Sequence, residues 1–342
     1  MTTNRLTDFL GRLVRRENLS REEAFDLLDA LLHAEATEAQ ISGTLVALAA
    51  KGETIEELTG LTEGLRSKAT RLISKHHCFI DTAGTGSSRA KTFNISTAAA
   101  FVIAGAGLPV AKHGNRAASS KSGSADLLTA LGVNVGAIPL VSENALNEIN
   151  ICFMFAPLYH GATARVAGIR RQLGIHTTFN LLGPLSNPAG APRQIIGVWH
   201  KDLAEKLAEV LAALGTERAW VVHGEDGLDE ITLAGKTHVA EAQNGEVKTF
   251  EIGPEDFGFE VGRIEHLRGG DADANAEIVG GVLSGERKDE ARALVIMNAA
   301  AALFLGGMAA DLRQGARLAA QAIDSGEARR KLELLIEATS GP

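Results

Sequence analysis

Apolar residues follow two regimes along the chain. In the first, Leu6, Phe9, Leu10, Leu13 and Val14 recur at helical spacing. Three capping boxes follow, Ser20 with Glu23, Thr37 with Gln40 and Thr54 with Glu57, and Gly52 supplies a stop before the last. This stretch predicts a run of short helices with apolar faces to bury. From Cys78 onward, short apolar runs alternate with helical stretches. Cys78–Ile80, Leu108–Ala111, Val133–Val135, Ile151–Phe155, Ile195–Val198 and Trp220–Val222 read as strands. Between them Ser96–Ala106, Ser124–Leu131 and Leu203–Leu214 read as helices. That alternation predicts a parallel sheet wrapped by helices. Residues 231–252 alternate apolar and polar around Asn244-Gly245, which predicts a small antiparallel hairpin. The tail, about 272–339, is helical and rich in Ala. The segment 164–190 is helical, then punctuated by Pro, and is expected to return to the N-terminal helices. The expected fold class is therefore α/β. A small helical N-terminal domain (1–75 with about 164–190) accompanies a larger α/β domain (76–163 and 191–342) with a mostly parallel sheet wrapped by helices.

Composition narrows what such a fold can do. The chain has 342 residues, enough for about two domains of ~150 residues. At 45% hydrophobic and 22% charged it can bury a core, which excludes a disordered chain. Lys and Arg total 34 against 42 Asp and Glu, a net charge of −8, which argues against a general nucleic-acid binder. A local basic pocket stays open. The two cysteines, Cys78 and Cys152, lie in apolar runs and predict buried reduced thiols rather than a disulfide framework. The start MTTNRLTDFL has no apolar signal core, and the run Ala98–Ala111 is too short to span a bilayer. A soluble, cytoplasmic protein is expected. Glycine is abundant, with 37 residues, as expected where backbone turns tightly or lies against a ligand.

The chemistry concentrates at the predicted strand ends, where open parallel sheets bind ligands. The first strand ends at Asp81 and is followed by Gly84-Thr85-Gly86-Ser87-Ser88, then Thr92-Phe93-Asn94-Ile95-Ser96-Thr97 opening a helix. Glycines let amides approach phosphate oxygens, and a helix start favours an anion. A P-loop would need Gly at Thr85 and Ala90, and a dinucleotide fingerprint would need Gly at Arg89, so neither standard motif is present. After the second strand come Lys112-His113-Gly114-Asn115-Arg116-Ala117-Ala118-Ser119-Ser120-Lys121-Ser122-Gly123-Ser124. Cations, short hydroxyls and glycines between a strand and a helix suit a phosphorylated sugar better than a solvated loop. His223-Gly224-Glu225-Asp226-Gly227-Leu228-Asp229-Glu230 adds an acidic cluster opposite, suited to Mg²⁺ shared with substrate phosphates. Alone it would more often be a solvated turn. Arg170 and Arg171 follow Tyr159-His160-Gly161 on a helix, and one arginine facing inward could clamp a carboxylate. Two surface arginines are the alternative.

KHGNRAASSKSGSADLLTALG (112–132), TFNIST (92–97), RRQLGI and TTFNLLGPLSNPAG (170–190) and VVHGEDGLDE (221–230) together resemble the anthranilate phosphoribosyltransferase family. The resemblance extends over essentially the whole chain, including GGDADANA (269–276). It implies transfer of phosphoribose from phosphoribosyl pyrophosphate to anthranilate with Mg²⁺, in tryptophan biosynthesis. It also implies a nucleoside phosphorylase/phosphoribosyltransferase fold that dimerises through its helical part. By the family's pattern, Gly84, Ser87, Ser88, Thr92, Asn94, Ile95, Ser96, Thr97, Lys112, His113, Gly114, Asn115, Arg116, Ala117, Ala118, Ser119, Ser120 and Ser124 hold the phosphoribosyl pyrophosphate. Gly84, Asn115, His160, Arg170 and Pro184 meet anthranilate, with positioning by Arg170, Asn115 and His113, while Ser96, Asp229 and Glu230 bind magnesium. Two segments depart from the pattern. The loop usually reads GTGGDG, whereas Ser87-Ser88 follow Gly86, and the acceptor entrance usually reads His-His-Pro, where Tyr159-His160-Gly161 stands. Both are expected to face substrate. They motivate an alternative with a different amine acceptor, and a further alternative is a non-catalytic relative that binds nucleic acid through 112–121.

Overall fold

The computed structural model describes residues 5–86, 92–117, 121–265 and 267–341. Four helices open it: α1 (Arg5–Val14), α2 (Arg21–Leu32), α3 (Glu38–Lys51) and α4 (Ile55–Ser67). All three capping boxes form, Ser20, Thr37 and Thr54 each accepting from the amide three residues on. Each satisfies an amide that the helix start leaves open and is worth about 1 kcal/mol. Glu57 is fully buried, and its carboxylate accepts from Leu19 N at 2.9 Å and Lys51 Nζ at 2.8 Å. One acid thereby ties the approach to α2 to the end of α3.

The remaining elements alternate as the apolar pattern requires. They run β1 (Ile80–Gly84), α5 (Ile95–Gly105), β2 (Val110–Gly114), α6 (Ser124–Ala130), α7 (Pro139–Ile149), β3 (Ile151–Phe155), α8 (Ala156–Tyr159), α9 (Ala164–Leu173), α10 (Thr178–Leu185), β4 (Arg193–Gly197), α11 (Asp202–Ala213) and β5 (Arg218–Gly224). The hairpin β6 (Thr237–Gln243) and β7 (Glu246–Ile252) turns at Asn244 and Gly245, both with positive φ. Then follow α12 (Pro254–Phe257), α13 (Ala272–Leu283), α14 (Glu290–Leu305), α15 (Leu312–Asp324) and α16 (Glu327–Thr339). The strands make one sheet of order β3-β2-β1-β4-β5-β6-β7, parallel through β5 and antiparallel beyond it. This is the expected α/β class, a small helical unit beside a larger, mostly parallel sheet wrapped by helices. No helix among the described residues is long and apolar enough to cross a membrane.

One sheet face packs on α5, α14, α15 and α16, with Phe101, Val102, Met297 and Leu335 in the core. The other face, through Ile196, Val198 and Val221, joins Leu207 and Leu211 of α11 and the helical unit. Val166, Ile169, Phe179, Leu182 and Leu185 of α9 and α10 share that second cluster with Leu27, Leu45 and Leu61.

Two expected strands need correction. The first begins at Ile80, not Cys78, and runs on to Gly84, so its carboxyl end lies beyond Asp81. Val133–Val135 is not a strand but the loop joining α6 to α7. β2 pairs directly with β3, Val110 opposite Ile151, which leaves no place between them. The Asn134 amide instead donates to Thr339 Oγ1 at 3.2 Å.

Helices α2 and α4 approach so closely that a Cβ at Gly60 would lie 2.0 Å from the Arg21 carbonyl oxygen. Gly60→Ala therefore separates them, and despite ~1 kcal/mol of gained helix propensity the expected net loss is about 1–3 kcal/mol. A lower denaturant midpoint is the expected readout, and an unchanged midpoint contradicts the close packing.

Candidate active site

Chain order along the sheet reverses between β1 and β4. β2 and β3 add on one side of β1, while β4 and β5 add on the other. At such a switch point the loops leaving two adjacent strands part and open a crevice. Gly84 of β1 and Gly197 of β4 are register partners at this end. A Cβ at Gly197 would lie 1.7 Å from the Asp229 carbonyl oxygen, so glycine there lets the acidic turn after β5 cross the end of β4. The same turn reaches β1, since a Cβ at Gly84 would be 3.6 Å from Asp229 Oδ2. Ser96, in the first turn of α5, donates its amide to Glu230 Oε1 at 3.2 Å. Lys112 on β2 places Nζ 3.4 Å from Ser96 Oγ. Three strand-end segments that are distant in sequence thus meet at one place.

Their charges explain the geometry. Lys112 is only 4% exposed, and its Nζ donates to the Thr82 carbonyl. Burial lowers its pKa, and the carboxylates of Asp81 and Glu230 oppose that shift. Asp81 is fully buried; Oδ1 accepts from the His113 amide at 3.1 Å and Oδ2 from Asn187 Nδ2 at 2.7 Å. Burial pushes its carboxyl up to about 6 against the pull of Lys112 and these bonds. At Glu230, burial and the adjacent Asp229 push the carboxyl up to about 8. Two carboxylates that repel each other beside the Ser96 hydroxyl make an all-oxygen donor set. No group of three or more His, Cys, Asp or Glu poised for a metal occurs among the described residues. Two acids and a hydroxyl fit a hard ion that keeps water and shares substrate oxygens, as Mg²⁺ does.

A second group lies toward the helical unit. The rings of His113 and His160 are 5.2 Å apart between centroids, and both are buried. Burial, with mutual repulsion at His113, lowers them to about 3 and about 4, so both imidazoles are neutral at pH 7. His113 Nε2 has no hydrogen-bond partner among the described residues. The backbones of Gly183 and Ser186 face these rings, and Pro184 lies between them in sequence, near the end of α10, with its carbonyl accepting from Gln194 Nε2 at 3.2 Å. Arg170 faces inward rather than outward: it packs over the Phe179 ring at 5.6 Å, and Nη2 donates to Asn180 Oδ1 at 3.1 Å. Its buried Nε lacks a partner, and it makes no ion pair among the described residues. A half-buried guanidinium with an open fork suits an incoming carboxylate.

Other expected residues are placed less simply. Asn115 is exposed at the end of β2, and its carbonyl accepts from Ser124 Oγ at 3.3 Å. Gly114 lets Ser124 approach, since a Cβ there would fall 2.2 Å from Ser124 Oγ. Arg116 pairs with Asp126 at 2.8 Å. Thr92 bridges Arg268. Asn94 stands at the start of α5, where its carbonyl accepts from the Thr97 amide at 3.1 Å and its side-chain Oδ1 accepts from Asn275 Nδ2 at 3.0 Å. Ile95 and Thr97, by contrast, turn their side chains into the interior, and their amides are bonded to Phe93 and Asn94 carbonyls. Ser87, Ser88, Ala118, Ser119 and Ser120 lie outside the described residues. The expectation that Tyr159 faces substrate is corrected: the residue is 1% exposed within the α/β core, and His160, the next residue, places its ring near that of His113. Sequence reasoning did not assign roles to Asn187, Asn275 or Asp126. Asn187 stands inside the quoted GPLSNPAG run, but an amide's partner cannot be read from its neighbours.

Residues 76–329 match the glycosyl transferase family, a/b domain, and residues 7–69 match the helical bundle domain of the glycosyl transferase family. An anthranilate phosphoribosyltransferase from Desulfosudis oleivorans is 50% identical over 330 residues, spanning 96% of this chain and 97% of its own. The chain belongs to the anthranilate phosphoribosyltransferase family. Among solved structures, the family's enzyme from Thermus thermophilus superposes with a TM-score of 0.91 at 37% identity, covering 98% of this chain and 100% of that one. The Saccharomyces cerevisiae enzyme in complex with PRPP and Mg gives 0.89 at 29% identity, covering 98% of each chain.

The two buried imidazoles predict a pH signature. A histidine whose folded pKa lies below its unfolded value of ~6.5 leaves the folded state with fewer protons, so stability falls as pH drops below ~6.5. Each ring contributes up to about 1.4 kcal/mol per pH unit until its folded pKa is reached. In NMR titration the His113 and His160 ring signals should stay constant from pH 7.5 to 5. A titration midpoint near 6.5 at either ring contradicts the burial described.

Proposed function

We propose that the chain transfers the 5-phosphoribosyl group from phosphoribosyl pyrophosphate to the amino group of anthranilate. The products are N-(5-phosphoribosyl)anthranilate and pyrophosphate, in tryptophan biosynthesis. The carrying observation is the meeting of glycine, Lys112 and Ser96 with the Asp229-Glu230 pair at the switch point. In this reading the donor lies along Gly84, Thr92, Asn94 and the segments 87–88, 95–97, 112–120 and 124. The acceptor lies between Asn115, His160, Arg170 and Pro184, next to Gly84 and His113. The domains divide as 1–75 with about 164–190, against 76–163 and 191–342.

The reaction forms a bond from the amine nitrogen to the anomeric carbon while the bond from that carbon to the pyrophosphate oxygen breaks. The amine proton is released to solvent. An aromatic amine is neutral at pH 7 with its lone pair free, so no strong base is required, which accords with imidazoles held neutral. Ser96, Asp229 and Glu230 would hold magnesium, which when bound neutralises charge developing on the diphosphate. The chain's own part is positioning. Arg170 orients the acceptor through its carboxylate, the strand-end amides and cations hold the donor, and such orientation contributes up to about 7–11 kcal/mol.

Several features support the wider setting. Val14 and Val46 are exposed on α1 and α3 beside Gly43 and Ala47, an apolar strip on which a second copy pairs through the helical unit. The free thiols of Cys78 and Cys152 suit the cytoplasm. The alternative acceptor rested on Tyr159 and Gly161, and the burial of Tyr159 leaves Gly161 alone to favour it.

Loss of anthranilate fluorescence on mixing with phosphoribosyl pyrophosphate and Mg²⁺ tests the reading. Absence of turnover at millimolar substrates would end it. Arg170→Ala should raise the KM for anthranilate about ten- to hundredfold, the worth of a charge-assisted hydrogen bond, and leave the donor KM nearly unchanged. An unchanged anthranilate KM contradicts the carboxylate clamp.

A further inference from the structure

The segment after β2 leaves at Asn115 and returns at Gly123, and a single carboxylate joins its two ends. Asp126 Oδ2 accepts from the Ala117 amide at 2.9 Å and from the Gly123 amide at 3.0 Å, while Oδ1 accepts from Arg116 Nη1 at 2.8 Å. Only the Gly123 bond belongs to an ordinary capping box, in which an acid at the third helical position returns to the cap amide. The bonds to Ala117 and Arg116 have no place in a cap, because these residues lie on the outgoing side. Gly123 makes the neck possible, since a Cβ there would fall 2.5 Å from the Ala117 nitrogen and 2.6 Å from the Asn115 oxygen. The Asn115 carbonyl also accepts from the Ala125 amide at 3.2 Å, and Asn94 Nδ2 donates to the Ser122 carbonyl at 3.4 Å. Burial disfavours the charged Asp126, yet the Ala117, Gly123 and Arg116 donors hold its carboxyl below the usual carboxylate range. The charge is thus committed to the neck.

We infer that Asp126 is a positioning residue for phosphoribosyl pyrophosphate: its carboxylate fixes both ends of the 117–123 segment and the direction of the Arg116 guanidinium before the donor binds. It touches no substrate. The inference rests on the function proposed above, and it assigns donor affinity to a side chain whose chemistry alone suggests nothing more than a helix cap. Ordering these ends in the free protein spares the entropy that binding would otherwise cost.

Two variants and one wild-type measurement test it. Asp126→Asn keeps one acceptor oxygen for the Ala117 and Gly123 amides and turns an amide toward Arg116, so it releases the arginine alone. Asp126→Ala opens the neck as well. Steady-state kinetics should show the KM for phosphoribosyl pyrophosphate rising about threefold in the first and at least about tenfold in the second, with the anthranilate KM within twofold of wild type. A purely structural cap would lower thermal stability and the active fraction, hence kcat, without moving the donor KM, and that pattern overturns the inference. Hydrogen exchange of the Ala117 and Gly123 amides in the wild-type protein needs no variant. Slow exchange without donor supports the clasp, and exchange at the rate of open chain overturns it. If wild type turns over both substrates and the variants leave the donor KM unmoved, only this inference fails. If wild type shows no turnover, the functional reading fails, while the exchange measurement still judges the clasp.

Discussion

A buried lysine charge must be answered by nearby carboxylates, and at Lys112 this requirement shapes the whole crevice. Removing an ammonium from water is costly unless opposite charge and hydrogen-bond acceptors replace the solvent. Asp81 on the neighbouring strand supplies the charge at pH 7, Glu230 on the turn after β5 adds to it when ionised, and Thr82 and Ser96 supply the acceptors. Asp81 and Thr82 come from β1, Ser96 from the start of α5 and Glu230 from the turn after β5. Asp81 is in turn fastened by Asn187, which also donates to the Ala111 carbonyl at 2.9 Å and brings the segment after α10 against the sheet. A single compensated charge therefore orders the loops after β1, β2 and β5 and the return from the helical unit.

The same charge pattern separates two chemical tasks. Around Lys112 the groups are ionic and oxygen-rich, suited to a diphosphate and a divalent ion. Around His113 and His160 burial keeps the rings neutral, and the Lys112 charge adds to that effect at His113. That difference divides the crevice into an ionic, oxygen-rich half and a half whose imidazoles are neutral.

Much of this was legible in the sequence, for identifiable reasons. The helical unit was legible because Ser20, Thr37 and Thr54 announce their own helix starts, and local caps form whatever the tertiary context. The parallel sheet was legible in runs such as Ile151–Phe155, whose burial on both faces leaves no polar alternation. Val133–Val135 misled because a short apolar run buried in a loop has the same composition as a strand, and only the direct pairing of β2 with β3 excludes it. At the site, residues with charge or glycine at strand ends were legible: Gly84, Lys112, Asp229 and Glu230. The direction of a side chain was not. Tyr159 and His160 are adjacent, yet one enters the core and the other faces His113. Asn187 and Asn275 escaped notice because an amide acquires its role from a partner 106 or 181 residues away.

The attraction between Asp81 and Lys112 holds the crevice together, and a double-mutant cycle measures it. Denaturant unfolding of wild type, Asp81→Asn, Lys112→Met and the double variant gives the coupling directly. The predicted coupling is favourable by about 1–3 kcal/mol, with the double variant less damaged than the two single losses sum to. Additivity within about 0.5 kcal/mol would mean that the two charges do not sense each other, and the compensated crevice described here would be wrong.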